Sequence, residues 1–511
     1  MTFNVLYVLL SDTDTVVTVK DEMGQSVEGA PKNIYKALYF LGQQYQNHWI
    51  YFSNQSDAHS IPFEEINKHL HHHNTLLTLG TRSDHFITSE MGYVEDGPFI
   101  TTGKADIYPT WQMIDRMGVI HSSLLKNLPK SVFAASPSFS YWLNSIAIQL
   151  RPLGLCCYRM YDDSLPVRKV KPMSTSQLYL FVSEHYKKRW TLLLLIAQLF
   201  YEKRFPLFAF AKARLHKKNE LNVDFDTLAY LGKNPKESTI EVDVIIPTIG
   251  RKKYLYDVLK DLSAQSILPK RIIIVEQDAD PTATSELDYL TAESWPFEIK
   301  HHFIHQTGAC NARNLAIAEV QSPWVLFFDD DIRCKSNLIE ELAIAVATTK
   351  TKALTVACLQ EGEVDTLHAF KQWESFGSGC SIVHKEALKN IKFDMSLEHG
   401  YGEDVDFGMQ LRQAGYDVLY APQIQLKHLK APVGGFRQPH VFPWQEDAIQ
   451  PKPSPQIIYH RQKNYTEKQL LGYKLVLFLK AFKSAKTINP FGFYKSASAR
   501  WEASKKWAAK L

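Results

Sequence analysis

Trp324-Val-Leu-Phe-Phe-Asp-Asp-Asp331 runs from an unbroken apolar stretch straight into three carboxylates. A short apolar run ended by charge reads as a strand buried on both faces, the pattern of a parallel sheet covered by helices. Upstream, Val242-Asp-Val-Ile-Ile-Pro247, Arg271-Ile-Ile-Ile-Val-Glu276 and Glu298 to Ile304 read as three more strands. Between them Lys253 to Ser266 places Leu255, Val258, Leu259 and Leu262 at helical spacing, and Gly308 to Val320 reads as a further helix. Strands alternating with helices predict an α/β domain with a mostly parallel sheet. Ligands of such sheets bind beyond the carboxyl ends of the strands. That edge collects Thr248, Glu276 and Asp329 to Asp331.

Three adjacent carboxylates repel one another, and burying them is costly unless something neutralises them. A divalent cation does so, and hard cations prefer carboxylate and phosphate oxygen. The competing reading is an acidic turn that caps the next helix. A second acidic element, Gly402-Glu403-Asp404-Val405-Asp406-Phe407, precedes the helical stretch MQLRQAG. A carboxylate at such a junction serves as a general base, or, on the competing reading, Asp404 or Asp406 caps the helix. His428 ends the strand-like DVLYAPQIQLKH.

Taken in order, VDVIIPTIGR, RIIIVEQ, GACNARN, FFDDD, FGSGCSIVHKEAL, FDMSLEHGYGEDVDFGMQLRQAGY and His428 resemble glycosyltransferase family 2, with its inverting GT-A fold. The resemblance covers about Val242 to His428. It implies that Thr248 and Arg251 meet the nucleotide of a sugar donor. Glu276 stands where the family usually has an Asp that holds the base or ribose, with Gln277 beside it. Arg313 and Asn314 match the helix start that contacts the nucleotide. Asp329 and Asp331 match the DxD acids that hold a divalent metal, Mn²⁺ or Mg²⁺, with Asp331 the direct ligand and Asp330 against the nucleotide sugar. His428 matches a position that helps bind metal or diphosphate, and Asp404 matches the catalytic base. Trp373, Gly379 and Glu403 fall near the acceptor site, where Trp373 is placed to stack on a sugar. The implied reaction is one in-line displacement that inverts the anomeric centre. The implied setting is assembly of bacterial surface polysaccharide or lipopolysaccharide on a glycan or lipid-linked acceptor.

A sugar nucleotidyltransferase would carry a glycine-rich GxGxR loop after the first strand, and here that place reads PTIGRKKY. An inactive carbohydrate-binding module would not need the acids at 329, 331 and 404.

The rest of the chain sets the context. A length of 511 residues exceeds one ordinary core. The expected division is an α/β domain of unassigned role over residues 1–165, a helical and basic connector over 166–240, the GT-A domain over 241–440, and a basic, aromatic-rich tail over 441–511. The N-terminal stretch MTFNVLYVLLSDTDTVV lacks a basic n-region and reads as a strand rather than a signal peptide. Strand-like NVLYVLL, HWIYFS and NTLLTLG follow the same α/β pattern, without a phosphate loop or glycine fingerprint. The histidines of HLHHH, His69 and His71 to His73, read as a solvated helix end rather than a metal site. Trp190 to Tyr201 is the most apolar run, 12 residues between basic flanks, and too short to span a bilayer. It reads as a buried helix, with a helix lying on a membrane as the sharper alternative. The polar stretch HKKNELNVDFDTLAYLGKNPKEST reads as the linker.

The net charge is only +4, which gives no reason to expect nucleic acid. Six cysteines without a CxxC pair suit a reducing compartment. From Lys463 to Leu511, however, ten Lys and one Arg face two Glu. Mixed with Phe491, Phe493, Tyr494, Trp501 and Trp507, that charge fits the interface of an anionic membrane. The expected location is therefore cytoplasmic, with the tail holding the chain peripherally on the inner face of the cell membrane.

Overall fold

The computed structural model describes residues 4–60, 63–134, 136–168, 170–216, 221, 223, 239–432, 440–485 and 489–511. Most of the expected linker lies outside the described residues. The chain forms two compact units: Met1–Leu231 with Thr466–Leu475, and Gly232–Tyr465 with Val476–Leu511. Both are α/β, as the sequence pattern predicts.

The first unit is built on strands β1 (Val5–Leu10), β2 (Val16–Asp21), β3 (Trp49–Asn54), β4 (Thr75–Gly80), β5 (Ile107–Pro109), β6 (Met117–His121) and β7 (Cys156–Tyr161), in the order β2-β1-β3-β6-β4-β7-β5. Pairing is parallel for β1 with β3 and for β4 with β7, while β6 runs opposite to both neighbours. Helix Ile34–Gln44 is capped by Asn33, whose side chain accepts from Lys36 N–H, and Phe139–Leu150 is capped in the same way by Ser138. Residues 166–216, expected as a connector, contribute helices Thr175–His185, Arg189–Ala197 and Leu207–Arg214 to this unit. The histidine run is not a solvated helix end. It forms the approach to β4, where His72 and His73 are buried and the His73 ring stacks on His121 at 3.7 Å.

The second unit carries β8 (Val242–Thr248), β9 (Arg271–Gln277), β10 (Glu298–Ile304), β11 (Trp324–Phe328), β12 (Ile332–Arg333), β13 (Ala353–Leu359), β14 (Lys371–Gln372), β15 (Cys380–His384) and β16 (Val418–His428). Their order is β10-β9-β8-β11-β15-β13-β16-β12, with β14 paired to β16. Four neighbours from β10 to β11 are parallel, and β15 is the reversed strand in the middle. Val325 to Phe328 are fully buried, so β11 is covered on both faces up to the first carboxylate. Helix Lys252–Ser263 buries Leu255, Val258, Leu259 and Leu262, the residues picked out by helical spacing.

Much of the tail is structural. In the second unit Trp501 is 3% exposed, Phe478 packs edge-on to Trp501 and Tyr494, and Trp507 Nε1 donates to Asp447 at 2.5 Å. Trp501 and Trp507 are thus spent on packing, while Phe491 and Tyr494 stay exposed. Among the described residues no helix is long and apolar enough to cross a membrane.

Candidate active site

The carboxyl edge of the second sheet gathers the residues singled out by sequence. Where β11 ends, Asp330 turns inward. Its carboxylate accepts from Thr248 Oγ1 at 2.7 Å and from Arg251 Nη1 at 2.6 Å. The TIGR loop after β8 is therefore tied to the acid triplet through the middle acid. Burial pushes the Asp330 carboxyl up to about 6, against the pull of Arg251 and Thr248.

Asp331 faces the end of β16. Register Ile332↔His428 brings His428 Nε2 within 3.4 Å of Asp331 Oδ1. Asp331 Oδ2 accepts from Ala431 N–H at 2.9 Å, and Arg251 stands 3.3 Å from the same carboxylate. The hydrogen bond to Asp331 raises the His428 imidazole above its ordinary range, and burial only partly opposes this.

Asp329 turns the other way. Its Oδ1 receives Arg313 Nη2 at 3.1 Å, and its backbone N–H donates to Gly379 O at 3.2 Å. A Cβ at Gly379 would sit 2.1 Å from Asp329 Oδ2, so only glycine lets the two approach. Asp329 is thus held by Arg313 and Gly379, apart from the Asp331–His428 pair. Among the described residues no group of three His, Cys, Asp or Glu side chains is gathered to hold an ion. The remaining pair still fits a divalent metal. The Asp331 carboxylate suits Mn²⁺ or Mg²⁺ when substrate phosphates complete the shell, with the His428 imidazole the less typical partner for these ions.

Past Asp329 lies the acidic helix start. Gly402 adopts φ +112°, a conformation that favours glycine, and launches helix Glu403–Gln413. Asp404 lies beside Ser378 and Arg313, and its Oδ1 is buried without a hydrogen-bond partner. Burial raises its carboxyl, while Arg313 and Ser378 counteract. Burial also lifts Glu403, with the Asp404 charge adding to it, up to about 7. Arg313 is itself buried, and its Nε and Nη1 have no hydrogen-bond partner. Asp406 is different in kind. It accepts from Asn464 at 2.7 Å, Lys463 at 2.9 Å and Gln410 at 2.7 Å, which anchors the helix.

Four expected ligand contacts are engaged within the protein. Asn314 clamps Phe393 with both ends of its amide, donating to O and accepting from N–H at 2.8 Å each. Gln277 Nε2 donates to Gln306 O at 3.0 Å and Gly308 O at 2.9 Å. Glu276 accepts from Ser285 Oγ at 2.5 Å and pairs with His301 at 2.9 Å. Trp373 stacks on Tyr420 at 4.2 Å and packs against the core, with Lys371 over its ring. These side chains shape the walls of the site. Sequence reading missed Glu398, which accepts from Cys310 and Asn311 N–H groups at 2.9 and 2.7 Å and so caps helix Ala309–Ala318. An acid 88 residues beyond the helix start gives no local signal. Ser378 was within reach, since it lies inside the quoted FGSGC.

A mostly parallel α/β sheet with acids, an arginine and an unpaired carboxylate oxygen at its carboxyl edge defines a protein that acts on a polar ligand there. The comparisons narrow that class: the glycosyl transferase family 2 profile matches residues 243–400. The C-terminal domain belongs to glycosyl transferase family 2. The chain is also 24% identical over 204 residues to the succinoglycan biosynthesis protein ExoM of Rhizobium meliloti (strain 1021), covering 36% of this chain and 65% of that one. It thus spans just under two thirds of the length of this curated relative. Among solved structures, it is similar to S. aureus TarS 1-349 in complex with UDP-GlcNAc, at 15% identity and a TM-score of 0.37, covering 53% of this chain and 84% of that one. It is also similar to GalNAc-T7 with UDP, GalNAc and Mn²⁺, at 13% identity and a TM-score of 0.30, covering 38% and 44%.

Proposed function

We propose that the second unit transfers a glycosyl group from a nucleoside-diphosphate sugar to an acceptor hydroxyl, with inversion, in the assembly of a bacterial surface polysaccharide. Family membership of residues 243–400 and the name of the ExoM relative support the reaction class and the setting. The observation that carries the reading is Asp404 Oδ1, a buried and unpartnered carboxylate oxygen beside Arg313 at the ligand-binding edge of the sheet.

In this scheme Asp404 takes the proton of the acceptor hydroxyl as the oxygen attacks the anomeric carbon. Its raised proton affinity suits a base working near neutral pH. The bond from that carbon to the diphosphate breaks on the opposite face, and the nucleoside diphosphate leaves with the electron pair. Asp331 and His428 are the residues that would hold a divalent cation, Mn²⁺ or Mg²⁺, whose charge offsets that of the departing diphosphate. Thr248 and Arg251 hold Asp330, and with it the loop against which the nucleotide lies. Arg313 holds Asp329, and its charge offsets those of Asp329 and Asp404.

The test is Asp404→Asn, which keeps the shape and removes the base. Donor affinity is expected to stay within a few-fold while kcat drops by roughly 10²–10⁴. Wild-type turnover in this variant would remove the assignment. Release of pyrophosphate rather than a nucleoside diphosphate, or a product that retains the donor's anomeric configuration, would contradict the scheme itself.

A further inference from the structure

The first unit carries a face that its own core leaves uncovered. Lys187 to His216 folds as helix Arg189–Ala197, a π-turn over Gln198–Glu202 and helix Leu207–Arg214. One side of this hairpin is fixed to the unit. Leu194, Leu195, Ala209 and Ala213 are buried, the Tyr179 hydroxyl donates to Gln198 Oε1 at 2.9 Å, and the Ser183 hydroxyl donates to Ala213 O at 2.8 Å. These bonds set which side faces out. The outer side presents Leu199, Phe200, Phe205, Leu207, Phe208 and Leu215, all exposed, with Phe208 at 81% and Leu215 at 85%. Isolated exposed apolar residues are ordinary, but six large ones within 17 residues form a patch that marks a partner.

Charge identifies the partner. Lys187, Lys188, Arg189, Lys203, Lys212 and Arg214 flank the patch, while Arg204 is paired with Glu90 and Glu202. The lone acid of the segment, Glu202, is turned inward to Lys468 at 2.7 Å and the Tyr93 hydroxyl at 3.1 Å. Large apolar side chains bordered by basic ones, on a segment too short to span, match the headgroup region of an anionic bilayer. Apolar groups enter the acyl boundary while Lys and Arg stems reach back to the phosphates.

We infer that the Lys187–His216 hairpin is a docking face for an anionic lipid surface. This binding is independent of the transferase reading, because it is measured without donor or turnover. The experiment sediments the full chain with vesicles of phosphatidylcholine alone and of phosphatidylcholine mixed with phosphatidylglycerol, at low and high salt. Binding is expected to the mixed vesicles, and to weaken with salt. Lys188→Gln with Lys212→Gln removes two surface charges without touching the core. At about 1 kcal/mol each, the pair should lower the partition coefficient roughly 30-fold at low salt. Phe200→Ser with Phe208→Ser should abolish binding at both salts while leaving the thermal midpoint in place. Equal binding by wild type and the charge variant overturns the inference, as does wild-type indifference to phosphatidylglycerol. A dimer in solution that the Phe200→Ser, Phe208→Ser variant loses, without vesicle binding by wild type, would assign the patch to a second copy of the chain instead.

Discussion

Each unit has a mixed sheet with a reversed strand between parallel pairs, and each places charge at a strand edge, but the two clusters are built differently. In the first unit Arg116 is 1% exposed and donates to Asp57 at 2.9 and 3.1 Å, to Asp84 at 3.3 Å and to Pro166 O at 2.7 Å. Asp57 and Asp84 are buried with it, and Asp84 Oδ1 also has no hydrogen-bond partner. In the second unit the Asp329 side chain is 33% exposed, Arg313 keeps two nitrogens without hydrogen-bond partners, and Asp404 keeps one such oxygen. A sealed ion cluster holds a fold together. A cluster with one carboxylate open to solvent can meet something that arrives later. Charge at the end of a strand is therefore a weak sign of function until its exposure is known.

The largest expected effect separates the two edges by activity. Chelation with EDTA should abolish transfer, Mn²⁺ or Mg²⁺ should restore it, and Asp331→Asn should lose several kcal/mol of transition-state stabilisation. The urea midpoint should fall as well, because Asp331 is buried and paired with Arg251 and His428, so kcat is read per folded molecule. Full activity in chelator would leave Asp331 and His428 as an ion pair only, and the second edge would then resemble the first.

The next effect runs the other way. Arg116→Met strands Asp57 and Asp84 in the interior and should cost about 3–5 kcal/mol of stability. Urea midpoints measure this directly, and kcat per folded molecule should hold. A stable Arg116→Met protein would mean that the first cluster is not structural.

The smallest effect is in pH. Asp404 and Glu403 both have raised proton affinity, and Asp404 works as a base only when ionised. The rate should therefore fall as pH drops through the titration of the pair, with an apparent midpoint well above that of a free carboxyl. Stability has the opposite sign. Between the ordinary carboxyl range and about 7 the folded state holds more protons than the unfolded one, so stability falls as pH rises. Glu403→Gln removes one buried charge. It should move the acid limb of kcat to lower pH and raise the urea midpoint at pH 8. An unmoved limb would detach Glu403 from the base.

The sequence by itself determined the parts that depend on local pattern. Apolar runs and helical spacing located β8, β9, β10 and β11, and the end of β11 located the acid triplet. The order of motifs located Asp404 and His428. Tertiary structure alone decided which polar atoms are used up. Asn314 looks like a ligand contact until Phe393, 79 residues away, takes both ends of its amide. Asp329 looks like a metal ligand until Arg313 and Gly379 turn it toward Asp404. The histidine run looks solvated until the approach to β4 buries it, and Trp501 and Trp507 look free for an interface until the fold gives them partners. The physical reason is one of range. Periodicity and chain stiffness act over a few residues and are written locally. Hydrogen-bond saturation and burial are set by groups that only the folded chain brings together.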